Sequence, residues 1–369
     1  MAESTRLVDV IQSRIDETLD AQAATLLDIT PELAPFADWG RELLRGGKRF
    51  RALFCYWGWQ AVCGEPVEPI GSGTGDLEAV VLAASALEFF QAAALVHDDI
   101  IDRSDTRRGL PAAHRRFEGL HGTSGWTGDG SDFGRSSAIL LGDLLLVWSD
   151  EVFDQALSLL TNPAASRAAR TEFNRMRTEV TAGQYLDILE ERSWSVQAES
   201  DLLPRAQRVI VYKSAKYSVE APLLIGAAMG GATQEQLTAL SDFGLPLGVA
   251  FQLRDDLLGV FGDPATTGKP SGDDLREGKR TVLIAIARAK LPPTGRRLLD
   301  ELLGDPALDD EQIRMLQLAI RDSGAVDAVE KLIAYNVGLA TSAVRTAPIT
   351  EVARERLLEL ADRASRRTS

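Results

Sequence analysis

An all-α fold is the architecture this chain predicts, and three observations carry the prediction. Apolar residues recur at helical spacing from end to end, alanine and leucine dominate them, and no run of alternating β-branched residues competes. Each helix then carries an apolar stripe that is buried only against another helix, so a single large bundle follows. With 369 residues, 45% of them apolar, a large core can be built. One domain is expected over 1–369, with frayed N- and C-terminal ends.

The first helix is expected over 3–27. Glu3, Asp9, Asp16, Glu17 and Asp20 punctuate its apolar residues, which is the pattern of neither a signal nor a transit peptide. Helices over 34–45 and 48–63 follow. The second of these holds both cysteines, Cys55 and Cys63, which eight residues of helix separate by about 12 Å, too far for a bridge. They read as core thiols in a reducing compartment, and the cytoplasm is the expected location. Gly64-Glu65-Pro66 and Gly71 to Gly75 are turn chemistry, and a helix over 76–103 follows them. Its apolar run is nearly long enough for a membrane span, but Glu88 and Gln91 interrupt it and His97-Asp98-Asp99 ends it, so a buried core helix is expected. The stretch 119–134 carries Gly122, Gly125, Gly128 and Gly130 beside Trp126 and Phe133, and reads as a glycine-rich loop, a surface insertion rather than a lid. Helices over 136–160, 164–190, 200–229, 234–260, 279–290, 308–322, 324–345 and 350–366 complete the chain. Pro222 and Pro246 should kink theirs.

A formal charge of −14 argues against a nucleic-acid surface and against adhesion to anionic lipid. Any anionic substrate would need a local basic patch. Two aspartate clusters, Asp98-Asp99-Ile100-Ile101-Asp102 and Asp255-Asp256-Leu257-Leu258-Gly259, end long apolar stretches, and basic residues follow each. Carboxylates four apart on a helix project from one face. Hard oxygen ligands with open positions suit Mg²⁺ shared with substrate phosphates. A solvated acidic face is the alternative for either cluster alone, and their pairing weakens it. Arg107-Arg108-Gly109 would bring two guanidinium forks beside the first cluster. In Gly46-Gly47-Lys48-Arg49-Phe50-Arg51 the glycines permit close backbone approach while Lys48 and Arg51 present charge at a helix start, with a plain capping turn as the alternative.

These motifs and their order, GGKRFR, LVHDDIIDRSDTRRG, LLGDLLL, GQYLDI, YKSAKYS, FQLRDDLLGVFGD and GKPSGDDLREGKRT, resemble the trans-isoprenyl diphosphate synthases, or polyprenyl synthetases. The resemblance runs from about Leu43 to about Ile284, and chance agreement of all seven is negligible. It implies the isoprenoid synthase bundle with a central cavity, and head-to-tail condensation of isopentenyl diphosphate with an allylic diphosphate. It also implies three Mg²⁺ ions, held by Asp98 and Asp102 and, from the opposite side, by Asp255. Arg107, Lys213 and Lys269 would grip the allylic diphosphate. Gly47, Lys48, Arg51 and Arg108 would hold the isopentenyl diphosphate, with Gln91 where relatives carry His or Gln. Ser214 stands where Thr is usual, Gln252 precedes the second cluster, and Asp187 of the Gln-x-x-Asp pattern would act through its neighbours. A homodimer is implied as well.

One departure stands out: Gly259 occupies the position where the second motif ends in a third aspartate. A water could replace that outer carboxylate, so Gly259→Asp is expected to be tolerated. Product length is expected to be set by Phe90, Ala93 and Ala94 on the helix leading into the first cluster. Ala94 lies about 6 Å and Phe90 about 12 Å below Asp98 along the axis. With no ring at 93 or 94, a twenty-carbon product, geranylgeranyl diphosphate, is implied; longer or shorter products are the alternatives. A weak partner subunit of a heteromeric synthase is disfavoured, because Asp98, Asp99, Asp102, Arg107 and Arg108 are all present.

Overall fold

The computed structural model describes residues 2–64, 75–263 and 271–365, and their side chains from residue 6 to residue 363. In chain order the helices are α1 (Ala2–Ile29), α2 (Ala34–Leu43), α3 (Phe50–Cys63), α4 (Gly75–Ile101), α5 (Ala113–Ser124), α6 (Gly130–Leu159), α7 (Pro163–Ser193), α8 (Glu199–Val209), α9 (Ala221–Met229), α10 (Gln234–Phe261), α11 (Asp273–Glu277), α12 (Val282–Lys290), α13 (Pro293–Leu302), α14 (Asp310–Asp322), α15 (Ala325–Thr346) and α16 (Glu351–Ser365). A two-stranded hairpin, β1 (Thr106–Arg107) and β2 (Leu110–Pro111), is the one departure from the all-α reading among the described residues. The chain divides into two compact units, residues 1–170 with 222–232, and residues 171–221 with 233–369.

In the first unit α4 packs chiefly on α6 and also on α3 and α1. It is apolar nearly all round, as burial on several sides requires. Its 27 residues and mean hydropathy of 1.9 would suit a membrane span, but 78% of that window is buried, in line with the core-helix expectation. Along α1, Leu7, Ile11, Ile15 and Leu19 are fully buried at four-residue spacing. Helices α3 and α9 meet backbone to backbone: a Cβ on Gly58 would overlap the Leu223 carbonyl, and one on Gly226 the Cys55 carbonyl. Cys55 is buried there as expected. Cys63 is exposed, a correction to the core reading, because it is the last residue of α3 and lies beyond the packed turns.

The expected loop over 119–134 is largely helix. Gly119 and Gly122 lie within α5, Gly125 closes it in the left-handed region at φ 65°, and Asp129 caps α6 by accepting from the backbone N–H groups of Ser131 and Asp132. Trp126 and Phe133 stack edge-on 5.2 Å apart, and Phe133 also reaches Phe117 and His121. Contact among these rings thus outweighs the low helix propensity of the glycines. Helix α1 begins at Ala2 and α16 runs to Ser365; residues 366–369 lie outside the described ones.

The second unit is built on α10, which packs on α15 and on the segment before α9. Its buried Ala250, Leu253, Leu257 and Val260 follow the helical period. A capping box of Thr233 with Gln236 opens α10, which continues through Pro246 and ends at Gly262. The expected helix over 200–229 is interrupted: Ile210–Glu220 is π-helical, with Val209 and Ala221 at its ends.

Candidate functional site

Each unit carries some of the residues that the motifs single out. In the first, α4 ends at Ile101 and the chain turns, with the Asp102 N–H donating to the Asp98 carbonyl at 2.8 Å. Asp98 and Asp102 are half-buried, whereas Asp99 is buried. The Asp99 carboxylate accepts from Arg107, whose Nε lies 2.9 Å away and whose second nitrogen also reaches it; Asp98 is 3.6 Å from the same guanidinium. Asp99 thus aims Arg107, a role that motif reading left unassigned because two adjacent aspartates look alike in sequence.

Arg107 stands on β1, and Arg108-Gly109 forms the hairpin's two-residue turn with φ of 53° and 76°. Positive φ at both central residues is the turn that fits the twist of paired strands, though for arginine it is an uncommon conformation. The turn carries the Arg108 guanidinium to the Gly46-Gly47 loop, where one terminal nitrogen lies 3.5 Å from the place of a Gly47 Cβ and the other donates to the Arg45 carbonyl at 3.4 Å. Gly46 and Gly47 are themselves left-handed, at φ 66° and 92°. Burial pushes the Arg108 pKa down, and the nearby charges of Arg49, Arg107 and Arg51 push it the same way while Glu88 opposes them. A guanidinium gathered among guanidiniums is a place where an anion is stabilised. Lys48 is exposed beside it and Arg51 is half-buried.

Arg49 differs from its basic neighbours. It is 5% exposed, holds φ 50° at the start of α3, pairs with Glu88 on α4 at 2.7 Å, and also donates to Gln12 and to the Leu44 carbonyl. It fastens the loop that presents Lys48 and Arg51. Left-handed non-glycine residues flank both basic motifs, at Arg49, Arg103 and Arg108, and such strain persists only where surroundings impose it.

In the second unit Lys213 lies on the π-helical segment and pairs with Asp187 of α7. Two glycines let this segment be gripped: a Cβ on Gly183 of α7 would overlap the Lys213 backbone, and one on Gly248 of α10 the Ala215 backbone. The π-helical turn aims Lys213 and Ser214, and such turns recur at functional sites. Gln184 and Ser214 are half-buried.

On α10, Asp255 is half-buried and Asp256 is 4% exposed. Gln252 donates to one Asp256 oxygen at 2.8 Å, and among the described residues the other oxygen is buried with no hydrogen-bond partner. Burial pushes the Asp256 carboxyl up to about 8; the Gln252 hydrogen bond works against this, while Asp274 and Asp255 add to it. Gly259 is not merely an absent carboxylate. A Cβ there would overlap the Asp274 carboxyl, so a side chain at 259 requires the Asp274 carboxylate to swing aside. Lys269 lies outside the described residues.

Among the described residues no three His, Cys, Asp or Glu side chains close around one ion. Mg²⁺ keeps waters and shares substrate phosphates rather than sitting in a protein cage. The unsatisfied Asp256 oxygen and the all-oxygen donors of both clusters suit it too.

The polyprenyl synthetase family model matches residues 36–319. The geranylfarnesyl diphosphate synthase of Aeropyrum pernix is 32% identical over 85% of this chain and 88% of its own. The geranylgeranyl diphosphate synthase of Methanosarcina mazei is 32% identical over 88% and 87%. Among solved structures, a Corynebacterium glutamicum geranylgeranyl pyrophosphate synthase, complexed with isoprenyl diphosphate and magnesium, superposes with a TM-score of 0.90 at 39% identity, covering 98% of this chain and 99% of that one.

Proposed function

This chain belongs to the polyprenyl synthetase family, and from that premise we propose that it condenses isopentenyl diphosphate head to tail with allylic diphosphates to give geranylgeranyl diphosphate. It is a prenyltransferase with the all-α isoprenoid synthase fold. The observation that carries the reading is the gathering of Arg107 and Arg108 with the Gly46-Gly47 loop beside the carboxylates of Asp98 and Asp102. Opposed charges are concentrated there, with Arg107 held by Asp99 and 3.6 Å from Asp98, which suits a site for metal and diphosphate.

Cleaving the allylic carbon–oxygen bond leaves negative charge on the departing diphosphate while positive charge develops on carbon. Arg107, Lys213 and Lys269 absorb that negative charge, with Ser214 and Gln252 completing the polar contacts. Asp98, Asp102 and Asp255 would hold Mg²⁺, proposed as three ions, which would supply Lewis-acid stabilisation to the departing diphosphate. Gly47, Lys48, Arg51, Arg108 and Gln91 hold the isopentenyl diphosphate so that its double bond attacks the allylic carbon, and the released diphosphate takes the proton that is lost. Alanine- and leucine-rich walls exclude water from the cation. The reading is of one polyprenyl synthetase domain that works as a homodimer in the cytoplasm.

The length ruler is narrower than the motif reading suggested. On α4 the half-buried positions Gln91, Ala94, Leu95 and Asp98 form one stripe, while Ala93 is fully buried and Phe90 is 5% exposed. Ala94→Phe is therefore expected to shorten the product with little loss of stability. Ala93→Phe should instead overpack the core at a cost of about 1–3 kcal/mol. Product chromatography and a thermal melt of both variants check the pair, and an unchanged chain-length distribution in Ala94→Phe would remove this stripe from the ruler. A twenty-five-carbon product is the second reading, favoured by the small Ala94 and by the Aeropyrum pernix relative. Purified protein incubated with Mg²⁺, isopentenyl diphosphate and each allylic primer decides between them. A twenty-carbon product is expected, and no product from any primer would overturn the synthase assignment.

A further inference from the structure

We propose that Gln317 is a positioning residue for the second aspartate cluster: one side-chain amide on α14 ties the end of α10, which carries Asp255, to the start of α11, and so fixes both ends of the stretch that holds Lys269. The inference rests on the functional reading above. Gln317 lies in none of the motifs that point to the site.

The Gln317 Nε2 donates to two partners, the Val260 carbonyl at 2.6 Å and the Ser271 hydroxyl at 3.1 Å. Val260 stands in the last turn of α10, where carbonyls have no donor further along the helix. A continuing helix would offer that carbonyl the N–H of residue 264, and Pro264 has none. Val260 is fully buried, so its carbonyl needs a donor from elsewhere in the chain, and α14 supplies it.

The neighbouring turns on the same face of α14 extend the grip. Ile313, four residues before Gln317, lies against Gly272, which holds φ 75° at the start of α11; a Cβ there would come within 2.6 Å of the Ile313 side chain. Arg321, four residues after Gln317, sets its guanidinium over the Phe261 ring, 5.1 Å from the centroid. Positions 313, 317 and 321 thus hold one end of the stretch, both ends, and the other end. Arg276 of α11 adds a tie, donating to the Ser271 carbonyl at 3.3 Å and to the Leu308 carbonyl ahead of α14 at 3.4 Å. The support itself is firm: Ile313, Leu316 and Ile320 are buried in the same core as Val260 and Leu275, and a capping box of Asp309 with Gln312 opens the helix. Apolar contact seats the two segments, while the directional amide bonds set their register. Ends fixed in advance need not be ordered when substrate binds. Loss of Gln317 should therefore fall on the allylic diphosphate, assigned to Asp255 and Lys269, and spare the isopentenyl diphosphate, assigned to Lys48, Arg51 and Arg108 of the other unit.

Full-length wild type, Gln317→Met, Gln317→Lys and Ser271→Ala are compared by steady-state kinetics in each substrate, by thermal melts, and by hydrogen–deuterium exchange over residues 255–280. Gln317→Met keeps the reach of the side chain and loses the donor. It should raise the KM for the allylic diphosphate about tenfold, move that for isopentenyl diphosphate by less than about twofold, and quicken exchange over the stretch with little change in the melt. Gln317→Lys restores a donor at similar reach and should return the allylic KM toward wild type. Ser271→Ala frees one end only and should give the same shifts at smaller size; it decides the matter if Gln317→Met does not fold. A wild-type allylic KM in Gln317→Met and Ser271→Ala, an equal rise in both KM values, or no recovery in Gln317→Lys would overturn the inference and leave the synthase standing. A wild type that makes no product from any primer would overturn the functional reading and this inference with it.

Discussion

Replacing Asp98 or Asp102 by alanine is expected to lower turnover by about two to three orders of magnitude while leaving the fold standing. Both side chains are half-buried, and the hydrogen bond that joins the two residues runs between backbone atoms, so truncation opens no core cavity. On the proposed function, what would be lost is a carboxylate where metal and diphosphate meet. Asp99→Ala should behave differently although it is the neighbouring residue. Its carboxylate is 2% exposed and holds Arg107, so its removal leaves a guanidinium without its buried partner and should depress the melting temperature together with the rate. Steady-state kinetics at saturating Mg²⁺, paired with thermal melts, separates the two behaviours. Near-wild-type turnover in Asp98→Ala would sink the metal assignment.

The contrast between Asp98 and Asp99 shows where sequence reading stops. Period and composition are enough for α1, α4, α6, α10 and α14, because each buries a face whose spacing is written in the chain. Helix α5 was hidden by Gly119 and Gly122, since what holds it is contact among Phe117, His121, Trp126 and Phe133, brought together only after the chain turns. The π-helical segment escaped for a related reason: the glycines that grip it, Gly183 and Gly248, lie on two other helices. Motif order singles out Asp98, Asp102, Arg107, Arg108, Lys213 and Asp255, yet it cannot tell which member of a basic or acidic run points inward. Arg49 sits between Lys48 and Arg51 in the motif and does a different job from both. Gly259 read as a deficit until Asp274, fifteen positions later in the numbering, was found over it.

The largest loss of stability is expected from Arg49→Met. Its side chain is 3% exposed and that of Glu88 is 10% exposed, so the 2.7 Å pair lies out of water. Breaking such a pair from one side costs about 3–5 kcal/mol, because the remaining charge stays buried without compensation. The same argument makes the double variant Arg49→Met with Glu88→Met informative. Replacing both ends of a buried pair by apolar residues of similar size is often neutral, so denaturant melts should show the double variant recovering most of the loss. Binding should not recover with it. Arg49 also donates to Gln12 and the Leu44 carbonyl, and that three-way grip holds the loop of Gly46, Gly47 and Lys48 against the start of α3. The double variant should therefore fold like wild type but show a raised KM for isopentenyl diphosphate and a near-normal KM for the allylic partner. Equal change in both constants would mean that the pair serves the bundle as a whole, and an unrecovered melt would mean that Glu88 has work besides Arg49.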